Sequence, residues 1–206
     1  MSYSNFKNLE IIKQKFDLGI KSADSLFSDV EDINPSLLLT QLLQENVPLA
    51  LNINTEKARS EFIIAPVLME VRRLFKQQVS LFSGTDFSVD ETQDLNGYCD
   101  FILSASPDQV FIEAPVVCVV EAKNENIKAG YPQCIAEMVA ARTFNEQQRR
   151  PLRSILGVVT TGSNWRFLRL EGRIAWVDFD EYLISRIAKI LGIFAHAITS
   201  ATALND

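Results

Sequence analysis

The chain has 206 residues, 47% of them hydrophobic and 22% charged, which fits one folded domain with a core large enough to need no staples. Its formal net charge of −6 argues against a protein that coats nucleic acid by overall charge, though not against one with a local basic groove. Three cysteines (Cys99, Cys118, Cys134) without a CxxC spacing argue against a disulfide framework or a zinc knuckle and predict reduced, buried thiols.

From Asn8 to Phe27, the residues Leu9, Ile12, Phe16 and Ile20 recur at steps of three and four, which predicts an amphipathic helix. Asn34-Pro35 predicts an N-cap followed by proline at the first helical position, with a short helix over Leu37–Leu43 and a break at Asn52–Asn54. A third helix is expected from Asn54 or Thr55 toward Gln77, kinked or restarted at Pro66. Val79–Phe87, broken by Ser83-Gly84, and Tyr98–Ala105 are strand candidates, and Ser106-Pro107-Asp108 marks a turn. Within Pro115–Lys123, the apolar run Val116-Val117-Cys118-Val119-Val120 predicts a fully buried strand. Next come a helix from Gly130-Tyr131-Pro132 to about Gln148 and a buried strand over Ile155–Thr160. A strand pair follows, Trp165–Leu170 and Arg173–Phe179, turning at Glu171-Gly172, and then a last helix over Glu181–Thr199.

This order predicts an α/β domain with one mixed sheet flanked by helices. Residues 1–54 are expected to form a helical N-terminal extension, 55–180 the core and 181–206 a C-terminal helix. No apolar run reaches the length of a bilayer span, so no membrane partner is expected. No basic stretch followed by an apolar one opens the chain, so no signal peptide is expected and the location is expected to be cytoplasmic.

The buried strand ends in Glu121-Ala122-Lys123. Residues two apart on a strand share a face, so Glu121 and Lys123 point one way and Ala122 the other. If Tyr98–Ala105 pairs with this strand as a hairpin centred near Asp108–Val110, Asp100 falls opposite a residue near 119, one diagonal step from Glu121. Asp100, Glu121 and Lys123 then meet at one end of the sheet. Neighbouring buried carboxylates resist ionisation, and a divalent cation relieves that strain. Their oxygens suit Mg²⁺, which takes one or two protein carboxylates and keeps several waters. Such a metal acidifies a bound water and stabilises charge on a phosphoryl oxygen, while the ammonium orients the water. The plainer reading is a surface ion pair. The single histidine, His196, is read as structural.

Four segments carry a likeness to a known family. They are Thr55–Leu68 with its mid-helix Pro66, Gly97-Tyr98-Cys99-Asp100-Phe101-Ile102-Leu103, Val119-Val120-Glu121-Ala122-Lys123, and Gly157–Phe167. In order and spacing this resembles the PD-(D/E)xK nuclease superfamily. It is most similar to the nuclease domain of type I restriction enzyme motor subunits and its stand-alone relatives. The resemblance implies a restriction-endonuclease-like fold and a metal-dependent phosphodiesterase acting on DNA. It implies Mg²⁺ or Mn²⁺ on Asp100 and Glu121, and a water aimed by Lys123. It also implies an acid from the first core helix, best matched by Glu61 with Glu56 as rival, and a supporting glutamine, Gln133. Where the family often has an aromatic residue one turn after that glutamine, this chain has Glu137. Where it usually has a proline before the first acid, this chain has Cys99.

Phosphate contacts for such an enzyme are expected first from Lys128, Arg142 and Arg166. Arg149, Arg150, Arg153, Arg169 and Arg173 are further candidates, as are Arg72, Arg73 and Lys76. A homodimer is expected by analogy, and a helicase or methyltransferase partner is left open. The alternative is the same fold used as a DNA-binding or assembly module without turnover.

Overall fold

A computed structural model of the protein describes residues 3–203, apart from the side chain of Ser4. The fold is α/β, with an eight-stranded mixed sheet that is mostly antiparallel. Helix α1 (Leu9–Phe16) is opened by Asn8, whose side chain accepts the Glu10 amide at 2.8 Å, and closed by Asp17 in the left-handed region at φ 50. The chain then forms strand β1 (Gly19–Ala23) instead of continuing as helix to Phe27, so the segment 1–54 is not wholly helical. The reason is non-local. β1 lies parallel to β7 (Ile174–Asp178), with Ile20 abreast of Ala175, a pairing that local periodicity cannot reveal.

Helix α2 (Leu37–Ile53) is longer than expected and is capped by Ser36, whose Oγ accepts the Leu39 amide at 3.2 Å, rather than by Asn34. Asn54 ends it at φ 53. Thr55 then caps the short α3 (Glu56–Arg59), accepting from the Ala58 amide at 3.1 Å. A π-helical turn (Ser60–Ile64) leads into α4 (Ala65–Leu74). Pro66 dictates this wide turn. It has no N–H to give to Phe62, four residues back, and its ring would clash with that carbonyl in a regular helix. Asn46 from α2 supplies the missing donor, its Nδ2 reaching the Phe62 carbonyl at 3.0 Å.

The sheet runs in the order β1-β7-β6-β5-β4-β3-β2, with β8 (Tyr182–Leu183) beside β6 (Asn164–Glu171). At its centre, β4 (Val116–Ala122) and β5 (Ser154–Thr160) are parallel, joined by the crossover helix α5 (Ile127–Gln147). Asn126 caps α5, which starts three residues before Gly130. β2 (Ser80–Asp86), β3 (Tyr98–Ser104) and β4 form an antiparallel meander. Between Leu103 and Ser104 the register slips by one residue. Leu103 lies abreast of Cys118 and Ser104 abreast of Val116. Asp100 therefore stands beside Glu121, in line with the pair Phe101–Val120, two residues from the expected position near residue 119. The bulge supplies one residue of that difference, and a turn centred nearer residue 110 supplies the other.

One face of the sheet packs Val120, Ala122 and Leu156 against Ile63, Val67, Leu68 and Phe194. The other packs Val119, Val159 and Leu168 against Cys134, Ile135 and Met138 of α5. All three cysteines are free and buried. At the open edge, Gln109 covers Leu81 of β2. Its side-chain carbonyl accepts the Leu81 amide at 3.2 Å and its Nε2 donates to the Leu81 carbonyl at 2.7 Å. Helix α6 (Ile187–Thr202) follows β8, so the helix expected from Glu181 begins later. By length and composition, Ile184–Thr202 is long and apolar enough to cross a membrane, contrary to the expectation that no stretch is. Half of that stretch is buried, and Ile190, Leu191, Ile193, Phe194 and Ile198 belong to the core.

Candidate functional site

The two parallel central strands end together. Ala122 lies abreast of Thr160, and the Lys123 amide donates to the Thr160 carbonyl at 2.8 Å. In open α/β sheets the crevice beyond the carboxyl ends of parallel strands is where ligands bind. Here that crevice holds Asp100, Glu121 and Lys123. Asp100 Oδ2 accepts the Ala122 amide at 2.8 Å, which ties the acid of β3 to the end of β4. Lys123 Nζ donates to Glu121 Oε1 in a close ion pair. Gln133, on the second turn of α5, donates from Nε2 to Glu121 Oε2 at 2.8 Å and to Glu137 Oε1 at 3.1 Å. Ala122 is buried in the opposite core.

Two glycines let α5 come close enough for these contacts. A Cβ at Gly157 would stand 2.3 Å from Met138 Sδ, and one at Gly130 would stand 2.6 Å from Val159 Cγ1 and 3.2 Å from Lys123 Cε. The stem of Lys123 therefore lies in a slot that only glycine leaves open.

Burial shapes the charge. It pushes the Glu121 carboxyl up from 4.5 to about 7, helped by the charge of Asp100 and opposed by Lys123. Burial also raises Asp100, opposed by its bond from the Ala122 amide and by Lys123. Glu137 is fully buried. Burial and then the charge of Glu121 drive it well above the usual carboxylate range. Its Oε2 has no hydrogen-bond partner. For Lys123, burial pulls the ammonium down, but the charge and hydrogen bond of Glu121 prevail and raise it.

Of the two helix acids, Glu56 is the one whose charge bears on Glu121 and Lys123. Glu61 is about half exposed and pairs instead with Lys57 at 2.7 Å, one turn back on its own helix. The structure does not bring it to the other site residues.

The expected phosphate contacts separate. Lys128 is exposed at the start of α5, and its charge, like that of Arg166, bears on Glu181. Arg166 is turned inward, bonded to the carbonyls of Asp178, Phe179 and Asp180 and to the Glu181 carboxylate. Arg142 lies at the other end of the sheet, donating to the Gly172 carbonyl. That hairpin is abreast of Ser154, six residues and about 20 Å along β5 from Thr160. The length of α5 carries Arg142 away, since fifteen residues of helix span about 22 Å. Arg150 bonds the Ala114 carbonyl, Arg153 and Arg169 pair with Glu171, Arg173 with Asp17, and Arg73 with Glu70. A cavity of about 530 Å³ near His196, Arg153 and Arg169 also belongs to that far end.

The expected set omitted Arg59. It is buried and hydrogen-bonded to Asn54, Asn124, Thr161 and Ser163. Its signal was present in the spacing, since Arg59, Ile63 and Val67 recur at steps of four and so place an arginine on the buried stripe.

Among the described residues, no group of three or more His, Cys, Asp or Glu side chains is arranged to hold a metal ion. In comparisons with known proteins, no family model matches the chain, and no curated protein and no solved structure matches it.

Proposed function

We propose that this protein is a metal-dependent phosphodiesterase of the PD-(D/E)xK type, with a restriction-endonuclease-like core and DNA as substrate. The observation that carries the reading is the meeting of Asp100, Glu121, Lys123 and Gln133 at the ends of the parallel strands. A surface ion pair has no use for a buried carboxylate, Glu121, set beside a half-buried one, Asp100, at that position.

The donor chemistry fits Mg²⁺ or Mn²⁺, because two hard carboxylates on adjacent strands suffice when waters complete the shell. Asp100 and Glu121 would hold the ion, which when bound supplies an acidified water and a counter-charge for the phosphoryl oxygens. The other roles belong to the chain. Lys123 orients the attacking water and offsets developing negative charge. Gln133 fixes the rotation of the Glu121 carboxylate, as outer partners of metal ligands do. Burial disfavours the charged form of Glu137, which lowers the tendency of the site to carry a third negative charge. The phosphodiester is attacked in line, and the leaving oxygen departs opposite the water.

The second reading is a binding or assembly module without turnover. It is favoured by the internal pairing of most candidate cations, Arg166 above all. The two readings part on one assay: cleavage of single- and double-stranded DNA and of RNA with Mg²⁺ or Mn²⁺. Metal-dependent cleavage that disappears in both Asp100→Ala and Lys123→Ala is the expected result. Absence of metal-dependent cleavage in the wild type leaves the binding module.

A further inference from the structure

Arg59 is 8% exposed, and its guanidinium reaches oxygens on three separate segments. Nε donates to Asn124 Oδ1 at 3.2 Å, and one terminal nitrogen donates to the Thr161 carbonyl at 3.0 Å and Ser163 Oγ at 3.4 Å. The other donates to Asn54 Oδ1 at 3.0 Å. None of these acceptors is a carboxylate. A buried cation without a counter-charge is costly, so its retention calls for a reason.

The reason is where the four acceptors stand. Asn124 directly follows Lys123. Thr161 directly follows Thr160, whose carbonyl holds the Lys123 amide. Asn54 closes α2 two residues before Glu56, and Arg59 itself lies one turn after Glu56. One planar, five-donor fork thus joins the ends of the two central strands to the helix that carries Glu56. A lysine presents a single ammonium and cannot span three segments in fixed directions.

We infer that Arg59 is the positioning residue of the site, a clamp that holds the ends of β4 and β5 and the α2–α3 junction in one geometry. The clamp stands on these distances. That it serves a metal site rests on the function proposed above.

The test is Arg59→Lys in the full chain, followed by hydrogen–deuterium exchange and by Mn²⁺ titration read by electron paramagnetic resonance. Exchange should quicken at residues 52–58, 123–126 and 161–164, and stay unchanged across β3 and α6. Mn²⁺ affinity should fall about 10- to 100-fold, as for loss of an outer partner of a metal ligand. Arg73→Lys, which alters a pair with Glu70, should change neither. Unchanged exchange at 123–126 and 161–164, or a uniform rise along the chain, overturns the clamp. Local loosening with full Mn²⁺ affinity leaves Arg59 merely structural and overturns the positioning role. If the wild type binds no Mn²⁺, the proposed function fails instead, and the exchange pattern alone decides the clamp. Should Arg59→Lys not fold, Asn124→Ala, which removes one acceptor, is measured in the same way.

Discussion

Gly130 lies against the stem of Lys123. A methyl group at position 130 would meet Lys123 Cε at 3.2 Å and Val159 Cγ1 at 2.6 Å. The helix that delivers Gln133 to Glu121 can approach only because this position has no side chain. Gly130→Ala should therefore lower stability by about 1–3 kcal/mol, the range for overpacking a core. It should also reduce the proposed metal-dependent cleavage by displacing Lys123 from Glu121. Gly172→Ala is the control. Its φ of 54 strains the backbone, but nothing lies within 4 Å of the new Cβ. It should cost about 1 kcal/mol and leave cleavage intact. Urea unfolding and the cleavage assay read both effects.

Stability should fall as pH rises. Glu121 moves from 4.5 to about 7, and burial shifts Asp100 and Glu137 in the same direction. Between about pH 4.5 and 7 the folded protein holds protons that the unfolded chain has released. The pH derivative of the unfolding free energy is then negative. These carboxyls thus contribute stability at acidic pH that is lost as pH climbs through the window. Urea midpoints of chelator-treated protein from pH 4.5 to 8 should decline, and Glu121→Gln should flatten the slope. A midpoint rising across that window would contradict the burial of these acids.

Glu137→Gln should be tolerated, because burial already disfavours the charged form of the native side chain. The expected change at pH 6 is under about 1 kcal/mol, since an amide keeps the shape and an oxygen for Gln133. Glu137→Ala opens a cavity and leaves Gln133 short of one acceptor, and should cost about 2–4 kcal/mol. Equal losses in the two variants by chemical denaturation would show that Glu137 is charged in the folded protein.

Asn46→Ala should cost about 1–3 kcal/mol, because it removes the side-chain donor from the carbonyl of Phe62, which Pro66 cannot serve. The proposed cleavage should fall less than stability, since the side chain of Asn46 bonds Phe62 and not a site residue. Thermal denaturation and single-turnover cleavage separate the two.

How much of this was legible beforehand depended on the range of the interaction. The buried strand of β4 and its charged end were readable because an apolar run and a two-residue period are local. The pairing of Asp100 with Glu121 was readable only to within two residues, because neither the centre of the turn nor the one-residue bulge between Leu103 and Ser104 has a local signature. β1 was missed for the same reason, since Ile20 fits a helical stripe until its partner on β7 is known. Glu61 was preferred to Glu56 on likeness, and the ion pair with Lys57 gives it other business. Arg142 was placed by composition, which says nothing of how far 21 residues of helix carry a side chain.

Gln109 has a consequence for assembly. By occupying both backbone groups of Leu81, it mimics the strand that a neighbouring molecule would otherwise add. Gly84, at φ 58, bends the same strand three residues on. A second copy therefore finds no continuous ladder to extend at this edge. Two copies could not join their sheets through β2. Replacing that glutamine would expose the backbone groups of Leu81 and remove one of the two obstacles at this edge.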